Sequence, residues 1–365
     1  MTNLPHARDG KARRAQGALY GLAIGDALGM PTQLLSRPDI VARYGPLLTG
    51  FVPAPGDHPI AAGHPAGSVT DDTEQAVLLA RLLIAGRGTI DPAALADALV
   101  SWEADMTARG SLDLLGPSTR RALAAVQSGV PPEEAGAAGD TNGAAMRITP
   151  IGIAIPLGHP ASAAPPADNS KKRATPASPG ALDTLVDAVF HASFVTHGTS
   201  LALAGAAAVA AAVSAGIAGA TVPEATGAAI SAAQLAATRG RWVAGADVAA
   251  RIEWATGLVA GRHPDEAMEL IYRLVGTGLA TQESVPAAFA ALAATPGDPW
   301  LTARFAASLG GDCDTIAAMA GAIAGACHGL TAFPPSAIET VDGNGLGLAE
   351  LADSLLQLRS QRRKS

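Results

Sequence analysis

Four glycines at four-residue steps, Gly17, Gly21, Gly25 and Gly29 in "GALYGLAIGDALG", limit what this chain can fold into more than any other feature. Residues four apart share one face of an α-helix. Glycine at each step leaves that face smooth, so a second backbone can approach closely, and in a chain of this kind the strip reads as a packing device. Composition agrees: hydrophobic residues make up 48% of the 365 positions, aromatics only 4%, and 41 residues are Gly. A core built from such small side chains has to be filled by closely packed elements. No convincing period-two alternation is present, and Val, Ile and Thr are scattered through Ala-rich helical text.

The spacing of apolar residues predicts helices over 17–29, 74–85, 92–107, 118–128, 181–195, 223–238, 243–260, 264–275, 285–292, 300–308, 315–327 and 348–360. The fold class expected is therefore all-α, a single compact multi-helix domain over 15–360 after a flexible tail at 1–14. The stretch "GHPASAAPPADNSKKRATPASPG" at about 158–180 has the composition of a flexible insertion within that domain. Residues 198–223, "GTSLALAGAAAVAAAVSAGIAGATVP", are uncharged and long enough to span a bilayer. They are mostly Ala and Gly and lack Trp, Tyr or Lys/Arg anchors, which favours a buried core helix.

The net charge of −7, with only short basic clusters, argues against nucleic acid as a partner. The two cysteines, Cys313 and Cys327, form neither a disulfide framework nor a zinc pattern. The first residues, "MTNLPHARDGKARRAQ", contain no apolar h-region, so the expected location is cytoplasmic, with no membrane partner.

Two apolar helices begin with more carboxylates than a cap needs. In "GGDCDTIAAMAGAIAG" one Asp suffices to cap, yet Asp312 and Asp314 are both present and Thr315 follows. In "AGSVTDDTEQAVLLA" Thr70, Asp71, Asp72 and Thr73 stand in the same arrangement, although Asp71 with Glu74 also spells a capping box. Like charges this close repel unless a cation or several donors lie between them. Facing one another across a cleft, the two starts offer four carboxylates and two hydroxyls with neither His nor Cys. That all-oxygen set suits Mg²⁺ or Mn²⁺ and is large enough for two ions about 3.5–4 Å apart. Cys313 reads as a small buried filler.

Other residues have both a plain and a functional reading. "GDTNGAAMRITP" is a tight turn running into a helix or buried segment, in which Asn142 and Gly143 could expose N–H groups to a phosphate or ribose. His197, in "FVTHGTS", is a capping or core histidine or a ligand contact. Asp26, on the glycine-strip helix, is costly if buried without partners.

Taken in order, "GLAIGDALGMPTQ", "GSVTDDTEQ", "NGAAMRITPIGI", "THGTSLALAGAAAVAAAV" and "GGDCDTIAAMAGAIAGA" resemble the successive motifs of the ADP-ribosylglycohydrolase family and span residues 21–326. The resemblance implies an all-α domain with a dinuclear magnesium or manganese site. Thr70, Asp71 and Asp72 would ligate one ion, and Asp312, Asp314 and Thr315 would complete the second, with one aspartate bridging. The reaction implied is hydrolysis at C1 of a ribose, with Asp71, Asp72 and Asp314 as catalytic residues. Gln33, Asn142, Gly143, Ala144, Met146, Arg147 and His197 would bind substrate, and Asp26 would accept hydrogen bonds beside the metals. Asp113 lies near the place where some members keep a catalytic carboxylate, but its spacing does not match cleanly.

One position departs from the family. Many members carry Glu where this chain has Gln33, and an amide cannot take a proton from water. The resemblance favours an ADP-ribosylated protein as substrate, whereas the Gln33 departure favours a small ribosylated molecule such as a nucleoside. A catalytically silent member, resembling the lens crystallins related to this family, is the alternative from another class. Oligomeric state is left open.

Overall fold

A computed structural model describes residues 4–111, 115–157 and 180–362, with side chains from Gly10 onward. Among the described residues every regular element is a helix, and the only β pairings are two isolated bridges, Thr141 with Ala280 and Thr199 with Arg241. The insertion expected at about 158–180 lies, apart from Gly180, outside the described residues, as does Asp113.

The glycine strip finds its partner at the far end of the chain. Helix Leu4–Gly29 crosses helix Cys313–His328, with Gly17 on Gly325, Gly21 on Gly321, Gly25 on Ala317 and Gly29 on Asp314. A Cβ at any of these four glycines would overlap backbone atoms of the partner, so the helices touch main chain to main chain. The contact sets a register: the last turn of the first helix lies against the first turn of the other, which carries Asp314. The helix begins at Leu4, so residues 4–14, expected as tail, belong to it. Amphipathic spacing was absent there, and Arg14 is held by the carbonyls of Gly216, Ala326 and Cys327, which only the fold brings near.

The uncharged stretch forms helix Ser200–Ala218, buried along its length from Ser200 to Ile217. It is long and apolar enough to cross a membrane, but its surface is used up in packing on Val222–Ala237, Cys313–His328 and neighbouring helices.

Several boundaries differ from the spacing for identifiable reasons. Helix Thr281–Ala294 starts before its expected position at 285 although it contains Pro286. The Gln282 carbonyl, which Pro286 cannot serve, accepts a hydrogen bond from Arg251 Nε at 3.0 Å. The helix expected over 243–260 starts at Val248, where Asp247 caps the Ala250 N–H at 2.8 Å. The segment expected as one helix over 264–275 changes pitch to a π-helix over Ile271–Val275. Helices Arg37–Tyr44 and Pro335–Asp342 are too short for their apolar spacing to stand out in the sequence.

Candidate functional site

At neither acidic helix start does an aspartate at the cap position make the capping side-chain bond. In helix Asp71–Ala85 the cap is Thr70, whose hydroxyl accepts from the Asp72 N–H at 3.4 Å. The Asp71–Glu74 capping box does not form, because Glu74 turns to accept from Trp102 Nε1 at 2.6 Å. At the other start Asp312 occupies the cap position but its side chain makes no capping bond. The cap position thus belongs to Thr70 at one start, and at the other the Asp312 carboxylate is not spent on capping.

The two starts meet. Thr315 Oγ1 donates to Asp72 Oδ2 at 3.1 Å across 243 positions of sequence. Burial and the neighbouring charges of Asp314, Asp71, Asp26 and Asp312 hold the Asp72 carboxyl well above the usual carboxylate range. Asp72 Oδ1 is buried and has no hydrogen-bond partner among the described residues. Delivery of Asp312 and Asp314 depends on two successive left-handed glycines, Gly310 (φ 87°) and Gly311 (φ 69°). This turn is pinned on both sides, since Gly311 O accepts from Leu34 N at 2.7 Å and Asp312 N donates to Thr277 O at 2.7 Å.

Asp26 is fully buried but amply partnered. Its carboxylate accepts from the backbone N–H and hydroxyl of Thr70 and from those of Thr73, four donors on the first turn of helix Asp71–Ala85. Desolvation pushes its pKa up to about 6 against the pull of these bonds. The residue thus ties the glycine-strip helix to the Thr-Asp-Asp turn. Asp312 is 7% exposed, accepts a short bond from Asn142 Nδ2, and is pushed by burial to about 6. Asn142 also donates to Ser284 Oγ at 3.0 Å, so its amide holds Asp312 in place.

The residues expected to contact substrate divide. Gln33 is 4% exposed, its backbone carbonyl pairs with His58 Nε2 at 2.9 Å, and its side-chain nitrogen is buried without a partner among the described residues. Gly143 is half-buried against the imidazole of His197. Ala144 and Met146 are buried in the short helix Gly143–Met146. Arg147 and His197 are 0% exposed, and in this structure they reach the carboxylates only through intervening side chains.

Those intervening residues, Gln75 and Thr196, were missed in the sequence. Gln75 lies four residues after Asp71, on the same helix face, and donates to Asp71 Oδ2 at 3.0 Å. The i,i+4 spacing was a readable signal, whereas nothing in the sequence marks Thr196.

The donor chemistry of the cluster, carboxylate and hydroxyl oxygens around an orphaned buried Asp72 Oδ1, fits a hard divalent cation. Among the described residues, however, no three His, Cys, Asp or Glu side chains are drawn close enough together to hold an ion. Asn142 instead donates to Asp312, and Thr315 to Asp72 Oδ2. A groove of about 670 Å³ is lined by Glu74, Trp102, Arg109 and Leu346 and by none of the clustered aspartates Asp71, Asp72, Asp312 and Asp314. It runs along helix Asp71–Ala85 from Glu74 to Ala85.

A family model described as ADP-ribosylglycohydrolase matches residues 7–365. The uncharacterized protein YegU of Escherichia coli (strain K12) is 36% identical over 96% of this chain and 99% of its own length. An ADP-ribosyl-dinitrogen reductase glycohydrolase of Rhodospirillum rubrum is 34% identical over 42% of this chain and 48% of its own. A solved structure described as an ADP-ribosylglycohydrolase-related protein complex superposes with a TM-score of 0.61 at 26% identity, over 96% of this chain and 99% of that one.

Proposed function

The chain belongs to the ADP-ribosylglycohydrolase family, and from that membership we propose that it hydrolyses the C1 glycosidic bond of an ADP-ribosyl group at a pair of magnesium or manganese ions. The observation that carries this reading is the meeting of two acidic helix starts, joined by the Thr315–Asp72 hydrogen bond, around an Asp72 Oδ1 that is buried without a partner among the described residues. Thr70, Asp71, Asp72, Asp312, Asp314 and Thr315 would hold the ions, which when bound supply Lewis acidity to the ribose hydroxyls and acidity to water.

The chain's own groups do the rest. The clustered carboxylates favour the positive charge that develops on the sugar as the C1 bond stretches. Asp71 is half-buried, and a carboxylate at that border can take a proton from water entering the site. Asn142 fixes Asp312, and Asp26 fixes the turn bearing Asp71 and Asp72, so the acidic groups need not reorganise during the reaction.

Gln33 supports a second reading, that the substrate is a small riboside. A buried amide nitrogen with no acceptor is costly and would be satisfied by a neutral hydroxyl. One panel of assays decides between these readings: ADP-ribose released from ADP-ribosylated protein, and ribose released from nucleosides, each with and without chelator. The proposed function expects metal-dependent ADP-ribose release that Asp314→Ala abolishes. Nucleoside turnover alone selects the second reading, and neither activity in metal-replete protein would point to a silent member of the family.

A further inference from the structure

Arg147 is the largest fully buried side chain among the described residues, and no carboxylate touches it. Its Nη1 donates to Gln75 Oε1 at 3.1 Å and its Nη2 to Thr196 Oγ1 at 2.6 Å. Beyond Thr196 the network continues, with His197 Nδ1 paired to the Thr196 hydroxyl at 2.8 Å and His197 Nε2 to Thr141 Oγ1 at 3.1 Å. At the other end Gln75, itself 0% exposed, donates Nε2 to Asp71 Oδ2 at 3.0 Å.

This chain has a direction. A glutamine amide presents a carbonyl on one side and N–H on the other. Gln75 lies between a guanidinium, which can only donate, and a carboxylate, which when ionised can only accept. Turned over, the amide would set N–H against N–H at Arg147 and oxygen against oxygen at Asp71. Arg147 therefore fixes which face Gln75 shows to Asp71, and Thr196 with His197 fixes Arg147. A buried cation held only by neutral partners is expensive as a structural filler. Its placement one glutamine away from a concentration of aspartates gives that charge a use.

We propose that Arg147 and Gln75 are positioning residues for the metal site, a buried relay that holds the Asp71 carboxylate in one orientation and offsets the cluster's negative charge. The inference rests on the metal reading above and adds residues that never touch ion or substrate. Outer groups that orient a ligating carboxylate typically change metal affinity by about 10–100-fold when removed.

The test is calorimetric titration of Mg²⁺ and Mn²⁺ into the full chain, with thermal unfolding of the metal-free protein measured in parallel. Gln75→Met keeps the volume and removes both hydrogen bonds. Arg147→Lys keeps the charge but loses the fork that reaches Gln75 and Thr196 together. Each should weaken metal binding by about tenfold or more, and the double variant should bind no more weakly than the worse single one, because both break the same relay. Should Arg147→Lys fail to fold, Thr196→Val removes only the far hydroxyl and should still weaken binding several-fold. Unchanged affinity in folded Gln75→Met, or losses that multiply in the double variant, would overturn the relay while leaving the metal reading intact. A wild-type chain that binds neither ion removes the metal reading and the relay with it.

Discussion

Asp26 accepts four hydrogen bonds from Thr70 and Thr73, and a neutral amide in its place would turn N–H groups toward donors. Asp26→Asn should lower stability by about 3 kcal/mol, the upper part of the range for bonds to a charged group. Denaturant unfolding measures this, and a loss below about 1 kcal/mol would mean that the Thr70 turn finds other acceptors. His197 gives a pH-dependent prediction of definite sign. Burial and the nearby Arg147 and Arg121 charges hold its pKa well below the ordinary histidine value. Between that depressed value and about 6.5 the unfolded chain binds a proton that the folded chain refuses. The stability this neutral histidine contributes is complete above the unfolded pKa and is lost as pH falls toward the folded one. The stability of wild type relative to His197→Gln should therefore shrink on acidification from about pH 7.5 to 5.5, by at most about 1.4 kcal/mol per pH unit. A difference that is flat with pH would show that His197 is not held neutral.

At the scale of elements the glycine-strip crossing positions everything else. Gly21 and Gly321 lie backbone on backbone, so Gly21→Ala or Gly321→Ala has to push two helices apart. The expected cost is at least about 3 kcal/mol, at the upper end of overpacking penalties because main chain cannot rotate away. Gly10→Ala in the same helix meets nothing within 4 Å and should instead stabilise by about 0.5–1 kcal/mol. Melting curves of the three variants test this. Equal shifts would show that helix propensity, not the crossing, decides. This strip was legible in the sequence because a four-residue period is local, but the identity of its partner was not, since several segments are equally rich in Ala and Gly. The acidic starts were legible in the same way. The function of their aspartates was not, because Asp71 and Asp312 both occupy places where capping is the ordinary explanation, and only their hydrogen bonds show that the cap is Thr70 in one helix and absent in the other.

For the whole molecule, the proposed ions couple the two halves of the chain. An ion bound only by the folded state stabilises it by about 2.7 kcal/mol at one hundred times its dissociation constant. Mg²⁺ or Mn²⁺ should raise the melting temperature of wild type and leave that of Asp314→Ala unchanged, with chelator reversing the gain. Equal shifts in both proteins would mean that Asp314 is not a ligand.

The sequence by itself determined the helices, the smooth face of the first one and the oxygen-only donors gathered at two helix starts. All of these are set within a few turns, by side-chain period, φ preference and charge. Tertiary structure alone decided that Thr315 reaches Asp72, that Asp26 spans to Thr70, and that Arg147 is a buried cation donating to Gln75. Such pairings join groups tens to hundreds of residues apart, and they exist because packed surfaces fix where each helix end arrives, which no local pattern encodes.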